Sequence, residues 1–237
     1  MRTPSTKRTP IFDTPAYQPS EAARILNLPA ATVKSWCFGQ AYRAASGDKK
    51  LFKPVVRPAD MHGKILSFAN LCELHVLSVI RRHHRIPLQK VRDSVDYLRK
   101  QLGVDRPLID REFHTNGIDL FVRHASLLLN VSSEGQEALR GDFEQALARI
   151  ERDNSGTPVR LFPFSRNSGS GITQPKSVVI DPRLAFGRPI LTRAAIPTQI
   201  IVDRFRAGDS LREMAKDYRV GEKEIEEALR FEQRRAA

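Results

Sequence analysis

Apolar positions recur along this chain in blocks whose period changes. From Tyr17 to Trp36, in YQPSEAARILNLPAATVKSW, Ala22, Ala23, Ile25 and Leu26 supply the apolar contacts of one short helix. Ser20 is placed to cap that helix, and Glu21 sits where the helix dipole favours negative charge. Asn27-Leu28-Pro29 breaks the pattern, and Pro29 pre-sets the first turn of a second helix running to Trp36. Val33 and Trp36 mark its inner face, which leaves Thr32, Lys34 and Ser35 outward. Two such helices form a helix-turn-helix. The pattern alone equally fits an αα-hairpin with a purely structural role.

A polar stretch, Gly39 to Lys50, leads into an alternating segment, Leu51 to Pro58, which predicts a strand or hairpin in the position of a wing. The next helix carries Phe68, Leu71, Cys72, His75 and Val79 on one face. Pro87 opens another, whose Leu88, Val91, Val95, Leu98 and Leu102 are spaced 3, 4, 3, 4, and Gly103 stops it. Residues 107–124 are expected to form a β-hairpin around Asn116-Gly117, and Ser133 to Asp153 a helix. That helix could serve dimerisation or pack on its own domain. Gly and Ser enrichment from Asn154 to Pro175 predicts a flexible linker. Beyond it, Val178–Ile180 and Ile190–Thr192 read as paired strands around Gly187-Arg188-Pro189. Three helices follow, the second opened by a Ser210/Glu213 capping box. The expected fold is mainly α with small β elements: a disordered arm (1–14), a winged helix-turn-helix domain with following helices and hairpin (15–153), a linker (154–176) and a small trihelical domain with a short β-hairpin (177–237).

Charge changes the picture from fold to partner. The 237 residues carry a net charge of +12, the footprint of a nucleic-acid ligand. Residues 1–60 hold ten Lys/Arg against four Asp/Glu, whereas residues 177–237 hold twelve against ten. DNA should therefore meet the N-terminal part. The candidate contacts are Ser20, Thr32, Lys34 and Ser35 on the hairpin and Arg43, Lys49, Lys50 and Lys53 on the wing, where phosphates are routinely met. A solvated charged face is the plain alternative for the wing. The last two helices form a second helix-turn-helix, but its outward positions, Glu222, Lys223, Glu224, Glu226 and Glu227, are mostly acidic and would repel a phosphate backbone. That hairpin should face a protein.

Other chemistries find little footing. No apolar run approaches the ~20 residues of a membrane span, and the first residues lack a secretory signal. Two cysteines in 237 residues point to the reducing cytoplasm. Cys72, His75, His83 and His84 are the nearest approach to a metal set, but Cys72 lies in the apolar stripe; no metal or cofactor is expected. No phosphate loop or nucleophile motif occurs, so an enzyme is not expected.

The order of helix-turn-helix, wing, a helix of the form F-x-x-L-x-x-L-x-V-L and a helix opening Ile86-Pro87-Leu88-x-x-Val91-Arg92 resembles the DNA-binding region of MerR-type regulators over Tyr17 to Leu102. The aromatic-basic pair of that family's wing is most nearly met by Tyr42-Arg43. From Val178 to Phe231, I-D-P, G-R-P-I, I-P and E-M-A-x-D-Y resemble a small prokaryotic domain treated as a VapB-like antitoxin and encoded beside PIN-domain ribonuclease toxins. That family's Gly-Thr-Arg triplet is Arg193-Ala194-Ala195 here. The resemblance implies an antitoxin that binds a PIN-domain toxin and represses its own operon on operator DNA, acting as a homodimer. Arg230, Arg234 and Arg235 are then candidates to reach the toxin's carboxylates, although cations at a helix C-terminus also complement its dipole. The alternative is a stand-alone MerR-like regulator sensing a ligand or another protein.

Overall fold

The computed structural model describes residues 9–43, 47–79, 86–110, 113–129, 132–165 and 174–234. Among them the chain is mainly helical, with three antiparallel two-stranded sheets. Helices α1 (Pro19–Leu26) and α2 (Ala30–Phe38) are followed by the hairpin β1 (Gln40–Arg43)–β2 (Lys49–Phe52). Helices α3 (Phe68–Val79), α4 (Leu88–Leu102), α5 (Ile118–Leu129) and α6 (Ser133–Leu147) build the body. The hairpin β3 (Ile150–Arg152)–β4 (Pro158–Leu161) leads to β5 (Val178–Val179), β6 (Ile190–Leu191) and helices α7 (Thr198–Arg206), α8 (Leu211–Tyr218) and α9 (Glu222–Gln233).

Helix α3 is the axis of the body. Every one of its residues is buried, including Asn70, Glu73, His75 and Ser78, so its polar groups need partners inside. Asn70 Oδ1 accepts from the amides of Ser67 (3.0 Å) and Ala59 (2.9 Å), while its Nδ2 donates to the Arg57 carbonyl (2.7 Å) and to Glu73 (3.1 Å). Burial pushes the Glu73 carboxyl up, against the pull of Arg106, which pairs with it at 2.5 Å and with Asp13 at 2.8 Å. Asp13, in the expected disordered arm, is thus tied to the body, and Ile11–Asp13 form a 3-10 turn.

Two sequence expectations are corrected here. Residues 107–124 do not form a β-hairpin: Pro107–Ile109 make a 3-10 turn, Phe113–Gly117 a π turn, and α5 follows. A type I′ turn would need Gly117 at positive φ, which it lacks; a Cβ there would instead meet the Phe113 ring at 2.7 Å. The apolar residues Phe113, Ile118, Phe121, Val122 and Ala125 are all buried, a helical period that the turn signal overrode. The helix from Ser133 ends at Leu147, six residues before Asp153, and Ile150 belongs to β3. One face of that helix packs on its own chain: Phe143 makes edge contacts with Phe113 (5.6 Å) and Phe121 (5.1 Å).

The expected linker is also partly structured. Residues 158–161 are strand β4, and Phe162, Pro163 and Ser165 are buried. Arg149 fastens this segment by donating to the carbonyls of Phe162 (2.6 Å), Pro163 (3.2 Å), Gln174 (3.1 Å) and Pro175 (2.9 Å). Its burial lowers its pKa to about 10. Leu161 and Ile180 exchange backbone hydrogen bonds of 3.0 and 2.9 Å, and Ile180 enters the same core as Tyr17 and α3. The trihelical unit keeps a second core around Ile201, Met214, Ile225 and Leu229.

Candidate nucleic-acid interface

Helix α1 starts at Pro19 with Gln18 at its N-cap and no side-chain cap; Ser20 is exposed in the first turn and does not cap it. Asn27, left-handed at φ 51, ends the helix, a conformation Asn tolerates better than most residues. Helix α2 then buries Val33, Trp36 and Cys37. Lys34 is exposed on its outer side with no ion-pair partner among the described residues. Thr32 is half-buried, and the Ser35 hydroxyl is turned inward, without a partner among the described residues. Of the three outward candidates on this helix, Lys34 therefore presents the clearest contact.

The wing is placed by the residues around it. Gly39 leaves α2 at φ 77, and a Cβ there would stand 2.3 Å from the Phe52 carbonyl oxygen, so only glycine lets β2 close against the helix end. The chain then returns to α2: the amides of Val55 (2.8 Å) and Val56 (3.1 Å) both donate to the Trp36 carbonyl. In the β1–β2 register Arg43 lies opposite Lys49 and Tyr42 opposite Lys50. The expected strand at 51–58 thus lies earlier, over Lys49–Phe52, because residues 53–58 return to α2. Lys53 is exposed just beyond it.

Arg92, the last residue of the Ile86-to-Arg92 motif, was not a candidate, yet it braces the wing from beneath. Buried on α4, it donates from Nε to the Lys53 carbonyl at 2.6 Å and lies over the Phe52 ring at 5.3 Å. Its charged type and helical position gave no sign of a partner 39 residues away.

The second hairpin differs in surface. Helix α8 is opened by the capping box, Ser210 accepting from the Glu213 amide (3.2 Å) and Glu213 from the Ser210 amide (2.9 Å). These bonds hold the Glu213 carboxyl below its ordinary value. Helix α9 exposes Glu222, Lys223, Glu226 and Arg230. Glu227, expected outward, is buried and takes hydrogen bonds from Ser165 (2.9 Å) and Arg230 (2.6 Å). Arg230 and Phe205 line a groove of about 420 Å³ between α7 and α9. Arg234 is turned toward the body, bonding the carbonyls of Ile25 (3.1 Å), Phe231 (2.9 Å) and Phe164; Arg235 lies outside the described residues.

The two hairpins meet. Arg24 of α1 pairs with Glu232 of α9, which also accepts from Thr198. Buried Tyr17 donates to the Gly187 carbonyl at 3.0 Å. Gly187 has φ +74, and a Cβ on it would stand 2.1 Å from the Tyr17 hydroxyl oxygen. Just before it, Ala185 (φ 46) and Phe186 (φ 56) are also left-handed, a conformation costing about 1–2 kcal/mol per non-glycine residue. Asp181 anchors this turn. Burial raises its pKa, but hydrogen bonds from Arg183 (2.7 and 2.9 Å) and Arg160 (3.1 Å) outweigh that and hold it below the usual carboxylate value.

Of the suspected metal set, Cys72 lies in the core and His75 stacks on Phe164 at 4.9 Å; His83 and His84 lie outside the described residues. No helix among the described residues is long and apolar enough to cross a membrane.

Comparison with known proteins falls on the same two regions. Residues 15–95 match a family described as "Putative DNA-binding HTH domain", and residues 178–231 match one described as "Protein of unknown function (DUF433)". The chain is 28% identical over 236 residues to "Putative antitoxin VapB45" of Mycobacterium tuberculosis, covering 92% of this chain and 94% of that one. The crystal structure of Rv2018 from the same organism has a TM-score of 0.66 at 24% identity, covering 92% of this chain and 98% of the other, a likeness of fold.

Proposed function

We propose that this chain is the antitoxin of a type II toxin–antitoxin pair, reading operator DNA with α1, α2 and the wing and neutralising a PIN-domain ribonuclease with its C-terminal module. The observation that carries the reading is one chain holding two helix-turn-helix hairpins of different surface: Lys34 stands out beside a braced wing on one, and on the other α9 sets exposed Glu222 and Glu226 among Lys223 and Arg230. The likeness to a protein named as an antitoxin, over nearly the whole of both chains, supports it. The N-terminal region is that of a MerR-like reader, acting without enzymatic chemistry of its own, in the cytoplasm and as a homodimer. Ser20, Thr32, Lys34, Ser35, Arg43, Lys49, Lys50 and Lys53 are its proposed DNA contacts. On the toxin side Arg230 is the exposed candidate among the described residues: it lines an open groove with Phe205, beside Glu226 and paired with Glu227.

The test is co-expression of the full chain with the protein encoded by the adjacent reading frame. Joint purification with loss of that protein's ribonuclease activity is expected. A neighbour that purifies alone and remains unaffected by the chain overturns the toxin reading.

A further inference from the structure

Resting on the toxin reading above, we infer that the turn Arg183–Arg188 is a docking knob: the Phe186 ring enters an apolar pocket of the partner protein, and Arg188 meets carboxylates on that pocket's rim. Phe186 is 91% exposed, and Leu184 beside it 40%. Among the described residues no packing calls for a ring there. Yet the backbone is held in a single left-handed turn through two non-glycine residues, where Gly or Asn would sit without strain.

The turn is rigidly mounted. The amides of Leu184 (3.0 Å), Gly187 (2.8 Å) and Arg188 (3.1 Å) close it onto the carbonyls of Asp181, Leu184 and Ala185. Ala185 packs on Phe162, Val179 and Ile190, and Tyr17 holds the Gly187 carbonyl from the other side. A rigid base presenting one aromatic anchor is the construction of an interface hot spot.

Charge selects the partner. Asp181 is buried and taken up by Arg183 and Arg160, and Arg188 is exposed with no carboxylate partner among the described residues. Arg160 also pairs with Glu151, which leaves Arg188 as the cation beside the ring that can meet an acidic rim. A duplex would also suit the arginines, but Leu184 and Phe186 together require an apolar pocket that a phosphate backbone does not offer.

The test titrates full-length chain against the protein of the adjacent reading frame. Phe186→Ala should weaken binding by about thirtyfold, the loss typical of a hot-spot residue, and Arg188→Ala by less. Phe186→Asn should lose binding as well while raising the melting temperature, since Asn relieves the left-handed strain. Unchanged affinity of Phe186→Ala overturns the knob and leaves the toxin reading standing. So does a Phe186→Ala chain that loses operator retention, or its own dimer, while still binding the neighbour. Failure of the unaltered chain to bind the neighbour removes both.

Discussion

The two helix-turn-helix hairpins share one backbone solution and differ in what they show to solvent. In each, an eight-residue helix ends on a left-handed residue, Asn27 at φ 51 or Arg219 at φ 54. The next amide then returns to the carbonyl five residues back, Leu28 to Ala23 at 2.9 Å and Val220 to Ala215 at 3.0 Å. The second helices bury corresponding positions: Val33, Trp36 and Cys37 in α2, and Ile225, Ala228 and Leu229 in α9. The difference lies between these positions. One residue past Val33 stands Lys34, and one past Ile225 stands Glu226, both exposed. Helix α2 then runs into Gly39 and the wing, whereas Arg234 at the end of α9 turns back onto α1. Backbone geometry thus carries no information about the partner; the exposed residues and the chain that follows do.

The strongest way to break the pairing of the hairpins is at their seam. Gly187→Val would drive a side chain into the Tyr17 hydroxyl from a left-handed backbone and should cost about 3 kcal/mol or more, read from urea unfolding. An unchanged midpoint would mean the two parts do not meet there. Asp181→Asn should cost about 2 kcal/mol at neutral pH, because it removes the charge and replaces one of the two oxygens that accept from the arginines with a donor. Since folding lowers the Asp181 pKa, its stabilisation is present above the unfolded value of about 3.9 and is lost as pH falls through the depressed folded value. Melting curves of the two chains should differ fully at pH 5–7 and converge below about pH 4.

A next measurement bears on the surfaces themselves. Lys34→Ala should weaken operator retention by about tenfold and lower the salt slope by about one, while Glu226→Ala changes neither. Equal effects at the two positions would contradict the assignment of DNA to the first hairpin alone. The smallest effect concerns the shared turn. Arg219→Gly should stabilise by about 0.5–1 kcal/mol and Asn27→Gly by only a few tenths, because Asn already tolerates the left-handed region. Thermal melts in which Asn27→Gly gains more would show the two turns are not energetically alike.

Local signals made much of this readable in sequence. Pro29 and Pro87 open their helices, Gly103 closes α4, and Ser210 with Glu213 caps α8, because each acts within four residues of itself. The 3, 4, 3, 4 spacing from Leu88 predicted α4 for the same reason. What escaped depends on distant partners or on competing signals. Gly117 looked like a hairpin glycine and is instead a close approach to Phe113. Arg92 under the wing, Arg149 on the Phe162–Pro175 segment and Tyr17 against Gly187 join positions that no window compares. Of the candidate contacts, charge and periodicity placed Lys34 on the exposed side of α2, where it stands. They could not tell that the Ser35 hydroxyl turns inward or that Arg234 serves the chain's own carbonyls.

The Leu161–Ile180 pairing has a practical consequence. Strand β4 and the start of the C-terminal module are stitched by backbone hydrogen bonds, and Ile180 shares a core with α3, so covalent continuity between Ser165 and Gln174 is not what unites the two parts. A chain severed there would keep every one of these pairings. Fragments 1–165 and 174–237, produced separately, should complement one another on mixing, which makes this protein a ready scaffold for a split reporter.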